Sequence, residues 1–319
     1  MGTLCDSCSV AVIIPAYNGE LYLRESIESV LSQTLPPAEI VVIDDGSTDA
    51  SLRIAQAYEP RIRVISRPNG GVSAARNFGA SITTAPWLAF LDHDDCWEPD
   101  FLAHATEVLL DTPDAAFLYT DRRVLYHHAA GITLSEPQSM PSPRQLPRHL
   151  LDRCPFTPCS ALVHRQAFLA VGGFDSRHNG VEDWDLWLRL SAHGIRFAHC
   201  PQPLVRYRVH QANASRNALK MLTTSFSVLD QNLRPQMTLT HRITTLNRVK
   251  SRLQGEAAIL MRENRTSGCF AMMMRSILRH PFHEARRYPI ALHMLLSILL
   301  IRSAALRHPL RHSHHASRI

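Results

Sequence analysis

The chain has no Gly-x-Gly-x-x-Gly behind its first apolar run and no Gly-Lys-Ser/Thr. Dinucleotide-binding and P-loop readings are thereby set aside. Cysteine is sparse and unpatterned: seven in 319 residues, an odd number, with one Cys-x-x-Cys (Cys5, Cys8) and no second pair at zinc-finger spacing. A disulfide framework and a zinc site are both disfavoured, and reduced thiols in a cytoplasmic setting are expected. The first apolar run, Val10 to Ile14, is too short for a signal peptide. No internal repeat is evident, and no acidic cluster occurs after Ser215.

Hydrophobic residues make up 45% of the chain, ample for a real core in one large domain with an appendage, or in two domains. The net charge of +6 is unevenly placed. From Phe270 onward eight arginines face one acid, Glu284, which leaves about −1 for residues 1–269. Within that tail, Ile290–Ile301 has only His293 and Ser297 as polar residues and is flanked by Arg286, Arg287, Arg302, Arg307 and Arg311. A spanning helix needs about 20 apolar residues, so this tract either packs on the protein or lies in a membrane interface with its arginines at anionic headgroups. The dense cluster of one sign favours the interface.

Val10–Ile14 reads as a buried strand stopping at the turn Pro15-Ala16-Tyr17-Asn18-Gly19. Leu23, Ile27, Val30 and Leu31 recur at helical spacing, so a helix is expected over Glu20–Gln33, before Pro36-Pro37. Ile40–Ile43 is a β-branched strand running into Asp44-Asp45-Gly46-Ser47-Thr48-Asp49, followed by a helix over Ala50–Tyr58 and a strand over Arg63–Ser66. Such strand–helix–strand units give parallel sheets whose ligands bind beyond the carboxyl ends of the strands, so both turns face one crevice. Asn69–Asn77 is a loop entering a helix that carries Arg76 and Asn77; an arginine there meets a phosphate or a carboxylate of its own domain. Ala115–Thr120 and Ser160–His164 read as further strands, the second leading into a short helix around Gln166–Val171. Between them Gly131–Pro158, rich in proline, serine and basic residues, reads as a mobile loop or as a merely variable surface excursion. Helical patterns follow near Ala218–Asn232, His241–Arg262 and Gly268–Arg279.

The chain is organised around Trp87–Asp100, an apolar strand that delivers Asp92, Asp94 and Asp95 together at its end. Carboxylates this close repel one another. A hard divalent cation that also binds phosphate would relieve the repulsion; an acidic surface turn is the plainer alternative. Glu182 and Asp183 open a helix expected over Asp183–Ser191, where acids favour the helix dipole by about 0.3–1 kcal/mol without any catalytic role.

Pro15-Ala16-Tyr17-Asn18, Val42-Ile43-Asp44-Asp45-Gly46-Ser47-Thr48-Asp49, Ala75-Arg76-Asn77 and Leu91-Asp92-His93-Asp94-Asp95 follow in an order and spacing that resembles a family 2 glycosyltransferase with the GT-A fold. Gly172-Gly173-Phe174-Asp175, Glu182-Asp183-Trp184-Asp185-Leu186-Trp187 and Tyr207-Arg208-Val209-His210 extend the resemblance over roughly residues 9–215. It implies an α/β fold: a GT-A type, Rossmann-like, mostly parallel sheet flanked by helices. Residues 1–9 would be a disordered N-terminus, 10–215 the catalytic domain, and 216–319 a helical region with a basic amphipathic tail.

Carried over residue by residue, the resemblance implies that Pro15, Ala16, Tyr17, Asn18, Asp45, Arg76, Asp92 and His93 bind the nucleotide. An aromatic ring stacks on uracil while a carboxylate accepts its ring N–H. Asp94, with Asp92 and His210, would hold Mn2+ or Mg2+; Asp183, beside Glu182, would be the general base; Trp184, Gly173 and Phe174 would meet the acceptor, with the Gly131–Pro158 loop above them. The implied reaction is an inverting, in-line transfer from a nucleotide-diphosphate sugar, with UDP the implied carrier, to a hydroxyl of a glycan or lipid-linked acceptor in cell-surface glycan assembly. The Gln-x-x-Arg-Trp of processive synthases is missing, which points to transfer of one sugar or a few. The expected place is the inner face of the cell membrane, as a peripheral protein on an anionic surface, with no nucleic-acid partner. Two other classes compete. A nucleotidyltransferase would show a Gly-rich, Lys/Arg-bearing loop after the first strand, which Pro15–Gly19 lacks, and a catalytically silent sugar-nucleotide binder would have a broken acidic motif, whereas Asp92, Asp94 and Asp183 are intact.

Overall fold

A computed structural model of the chain describes residues 8–128, 131–210, 213, 217–232, 239–263, 268–279, 289–291 and 294. The expected disorder of the first residues, the Cys5–Cys8 thiol pair and the reading of the 290–301 tract rest wholly or mainly on residues outside these. Two compact units form, Met1–Thr238 and Leu239–Ile319.

In the first unit β1 (Val10–Ala16), α1 (Leu23–Leu31), β2 (Glu39–Asp44), α2 (Ser51–Gln56), β3 (Arg63–Ser66), α3 (Val72–Ile82) and β4 (Trp87–Phe90) alternate along the chain. β1 pairs in parallel with β2 and β4, and β2 with β3. Every residue of β1 and β4 is buried, which is why they read as unbroken apolar runs: a sheet covered on both faces has no solvent side to alternate with. Leu23, Ile27 and Val30 of α1 share one core with Val12, Ile14 and Val42. Against β1 lies α3, which comes close at Gly79.

The chain continues through β5 (Cys96–Trp97), α4 (Phe101–Asp111), β6 (Ala115–His128), β7 (Gly131–Leu134), α5 (Leu146–Leu150), β8 (Ala161–His164), α6 (Arg165–Ala170), α7 (Glu182–Ala192), β9 (Arg196–Val209) and α8 (Ala218–Asn232). The sheet order is β3-β2-β1-β4-β8-β6-β9-β5, with β7 added to β6. β8, β5 and β7 run antiparallel to their neighbours, while β6 and β9 pair in parallel over most of their length. The result is the expected mostly parallel sheet flanked by helices.

Two expectations need correction. β6 continues to His128, far past Thr120, and β9 is a 14-residue strand where the sequence suggested none. The stretch 131–158 is built in rather than loose: β7 pairs with β6, Gln138 bridges to Arg122, and α5 buries Leu146 and Leu150. Its elements are too short for periodicity to reveal: β7 has four residues and α5 five. Tyr119 donates its hydroxyl to the Pro141 carbonyl, and the Trp184 indole donates to the Leu150 carbonyl at 2.7 Å.

α8 belongs to the first unit, where Asn232 donates to Asp185 at 2.9 Å. The second unit contains α9 (Leu239–Glu263) and α10 (Cys269–Arg279), with Met273 and Ile277 packed with Ala258. No helix among the described residues is long and apolar enough to cross a membrane.

A Cβ placed on Gly79 would lie 2.4 Å from the Ile13 Cγ2, a buried β-branched methyl that cannot swing aside. Gly79→Ala should therefore destabilise the first unit by about 1–2 kcal/mol, overpacking of about 1–3 less the helix propensity regained. A urea midpoint equal to or above wild type would show that the α3–β1 contact is not tight.

Candidate active site

The turns after β1 and β2 are laced together. Asn18 adopts φ 48°, in the left-handed region that asparagine tolerates, and its Oδ1 accepts the Thr48 amide at 2.8 Å. In return its own amide donates to Ser47 Oγ at 3.0 Å, and the Gly19 amide to Ser51 Oγ at 2.8 Å. Asn18 is thus occupied in holding the turns, while Tyr17, 48% exposed, stands free on the rim. Ala16 is buried, and its carbonyl accepts the Asp45 amide at 2.8 Å. The His93 ring occupies the space beside Gly19, where any Cβ would fall 2.2 Å from its Cδ2, and its Nδ1 donates to the Pro15 carbonyl at 3.3 Å. His93 therefore braces the Pro15 turn from below. The buried Asp45 carboxylate accepts the Gly70 and Gly71 amides, the shorter bond being 2.7 Å, with Arg67 at 3.4 Å.

Arg76 of α3 is the hinge of the arrangement. It is buried, with one Nη on Asp92 and the other on Glu182 at 2.7 Å, and its guanidinium lies 5.0 Å over the Phe174 ring. Burial works against its charge, but the two carboxylates outweigh it and push the Arg76 pKa up. Beside it Asn77 makes a reciprocal pair with the Phe174 backbone, donating at 2.8 Å and accepting at 2.9 Å. The Ala75-Arg76-Asn77 and Gly172–Asp175 segments are thus two halves of one joint.

The acids after β4 divide into three kinds. Asp92 serves Arg76. Asp95 points into the core, where its Oδ1 accepts the Arg208 amide at 2.8 Å and burial pushes its pKa well up. Asp94 faces His210, whose Nε2 is 2.9 Å from its Oδ2. Burial alone would raise the Asp94 carboxyl, but the His210 hydrogen bond and the nearby His93 hold it below the usual range.

Glu182 is fully engaged, by Arg76 and by the Gly180 amide. Asp183 is not: it has no arginine partner among the described residues, its Oδ1 accepts the Trp184 amide at 2.7 Å, and its Oδ2 lies 3.7 Å from Cys154 Sγ. Burial first, then the Glu182 charge, pushes its carboxyl up to about 7. The three residues expected at the acceptor are turned inward instead. Trp184 and Phe174 are buried, and Gly173, at φ 69°, abuts Asn77, where a Cβ would sit 2.7 Å from its Oδ1. They hold the joint from behind, because helical spacing shows that a face is apolar and not whether a ligand or the core covers it.

Two residues escaped the sequence reading as site members. Arg208 donates from Nε to the Asp94 carbonyl at 2.7 Å and lies 4.5 Å over the Tyr22 ring, and Tyr22 in turn packs 5.1 Å from the His210 ring. The available signal was strand alternation, which puts Arg208 and His210 on the same face. A separate Asp175–His178–Asp185 cluster brings ligand atoms within 4.8 Å of one another, but Arg177 takes Asp175 while Arg189 and Asn232 take Asp185. Those partners supply what a cation would, and the cluster joins α7 to α8.

The sequence profile described as Glycosyl transferase family 2 matches residues 11–170, half of the chain. The chain belongs to glycosyltransferase family 2. An uncharacterized glycosyltransferase of Rickettsia typhi is 32% identical over 218 residues, 67% of this chain and 68% of that protein. A chondroitin synthase of Pasteurella multocida is 28% identical over 71% of this chain, which spans only 23% of that longer protein. S. aureus TarS residues 1–349, in complex with UDP-GlcNAc, superimposes with a TM-score of 0.61 at 17% identity, covering 85% of this chain and 86% of that one. The family match contains the turns and Asp94 but ends before α7, so Asp183 and His210 rest on the geometry described above.

The raised Asp183 pKa carries a stability consequence. Its usual value is 3.8 and its folded value about 7, so the unfolded chain releases this proton first, and the folded state is disfavoured progressively as pH rises through that window and constantly above it. Asp183→Asn should therefore raise Tm more at pH 8 than at pH 4, by about 3 °C or more, the shift that roughly 1 kcal/mol brings to a domain of this size. Equal changes at the two pH values would place the carboxyl at its ordinary value.

Proposed function

We propose that this family 2 enzyme is an inverting, metal-assisted transferase moving a hexosyl or N-acetylhexosaminyl group from a UDP-sugar to an acceptor hydroxyl. The observation that carries the reading is the division of the acids: Asp94 lies 2.9 Å from the His210 imidazole with its carboxyl held below the usual range, while Asp183 has no arginine partner among the described residues and its carboxyl is pushed up to about 7. UDP is favoured by the complexes of TarS, a protein of the same fold, with UDP and with UDP-GlcNAc. Tyr17 would stack on the base, with Asp45 and the braced Pro15 turn at its edge.

A diphosphate needs positive charge, and the crevice arginines are already committed: Arg67 to Asp45, Arg76 to Asp92 and Glu182, Arg208 to Glu25. A divalent cation fits this shortage. Asp94 and His210 would hold it, and an imidazole nitrogen beside a carboxylate suits Mn2+ better than Mg2+. Bound there, a cation would supply positive charge for the diphosphate leaving group. Asp183 takes the acceptor proton as the hydroxyl attacks the anomeric carbon, a role for which a pKa near the working pH is suited. Glu182 positions it by anchoring the first turn of α7 to Arg76. The Cys154 thiol contacts the same carboxylate. A glycan or lipid-linked acceptor at an anionic membrane surface fits the basic C-terminal region.

Asp183→Asn should lower turnover by roughly 100-fold or more, the usual scale of general-base catalysis, with UDP affinity nearly unchanged. Turnover within a few-fold of wild type would remove Asp183 from the mechanism.

UDP should bind much more tightly with Mn2+ than with chelator, and Asp94→Ala should abolish the difference. Calorimetry giving equal affinity in both conditions for wild type would sink the metal assignment.

A further inference from the structure

Arg275 and Arg279 stand one turn apart on the exposed side of α10, with Leu278 between them 76% exposed. Across a cavity of about 460 Å3 they face Asn247 and Gln254 of α9. No acid lines this cavity among the described residues; Arg279 Nε donates to Gln254 Oε1 at 3.2 Å, and Arg275 has no ion-pair partner among those residues. Elsewhere in the same unit Arg252 is met by Glu256 at 2.7 Å. Like charges at this spacing repel.

The walls are fixed. Ser251 and Ser276 each donate a hydroxyl to the other's carbonyl, at 2.7 and 2.6 Å, locking α9 to α10 in one register. Two guanidiniums and two amides in a preset frame offer donors in excess and no negative charge, which suits an oxyanion with several oxygens. The whole unit, residues 239–319, carries fourteen lysines and arginines against three acids, a net +11. Leu278 stands in water at the mouth of the groove.

We propose that the α9–α10 groove binds the phosphodiester headgroup of an anionic phospholipid, with Leu278 entering the bilayer interface. A lipid, in preference to free phosphate, is indicated by the exposed leucine beside the arginines and by the positive charge of the entire unit. The inference deepens the membrane-surface reading above and is independent of the sugar chemistry.

The test is co-sedimentation of the full-length protein at low salt with phosphatidylglycerol-containing vesicles and with pure phosphatidylcholine vesicles. Arg275→Gln/Arg279→Gln should lower partition onto the anionic vesicles about 25-fold, roughly fivefold per arginine, and 0.5 M salt should do likewise to wild type. The same fold-loss should appear in a background of Arg302→Gln/Arg307→Gln/Arg311→Gln, which separates the groove from the tail. Both groove arginines are exposed, so an unchanged thermal transition will show that the variant is folded. Partition of the double variant within about twofold of wild type would overturn the proposal. So would displacement of wild type from vesicles by inorganic phosphate at matched ionic strength, since free phosphate would then be the ligand. Donor hydrolysis without vesicles should be unaffected by the groove variants; failure of the sugar chemistry would appear there and not in the sedimentation.

Discussion

The buried guanidinium of Arg76 is the interaction on which the rest of the site depends. It ties Asp92, at the end of β4, to Glu182, at the start of α7, across 90 residues of chain. Removing one partner from a buried ion pair typically costs about 3–5 kcal/mol, because the remaining charge is stranded. A joint of that strength keeps two distant acids at fixed separation. It also sorts the carboxylates by chemistry: those that meet Arg76 are spent on structure, and those that miss it, Asp94 and Asp183, keep lone pairs for other work.

Around that joint the same economy recurs. Asp45 gathers backbone amides, Asp95 gathers the Arg208 backbone, and Arg208 gathers the Asp94 carbonyl while lying on Tyr22. Tyr22 begins α1, immediately after the laced turns, and its ring touches that of His210. The laced turns and the Asp94–His210 pair are therefore joined through the Tyr22 ring.

The sequence was legible where burial on both faces writes an unbroken apolar run. β1, β2 and β4 end in turns whose composition marks them, and the acids fall at those ends because that is where a parallel sheet opens. It was not legible in β6 and β9, whose outer halves carry Arg122, Arg123, Arg206 and Arg208 and so break the apolar pattern. Nor was it legible in Trp184 and Phe174, whose helical spacing or motif position identifies a face but not its neighbour. Arg76 shows the limit most clearly. Sequence offered a phosphate or a carboxylate as its partner, and the choice is tertiary, made by Glu182 arriving from 106 residues away.

Charge partition adds a constraint that neither unit shows alone. With +6 overall and +11 on residues 239–319, residues 1–238 carry about −5. A unit of that sign repels both a nucleotide diphosphate and an anionic bilayer at long range. Under the proposed chemistry a cation would compensate the diphosphate locally, since the crevice arginines are committed. Under the proposed membrane contact, compensation would come from the second unit, whose groove is lined by no acid among the described residues. The acidity of residues 1–238 would by itself keep them off a negatively charged surface, whereas the basic residues 239–319 would favour it.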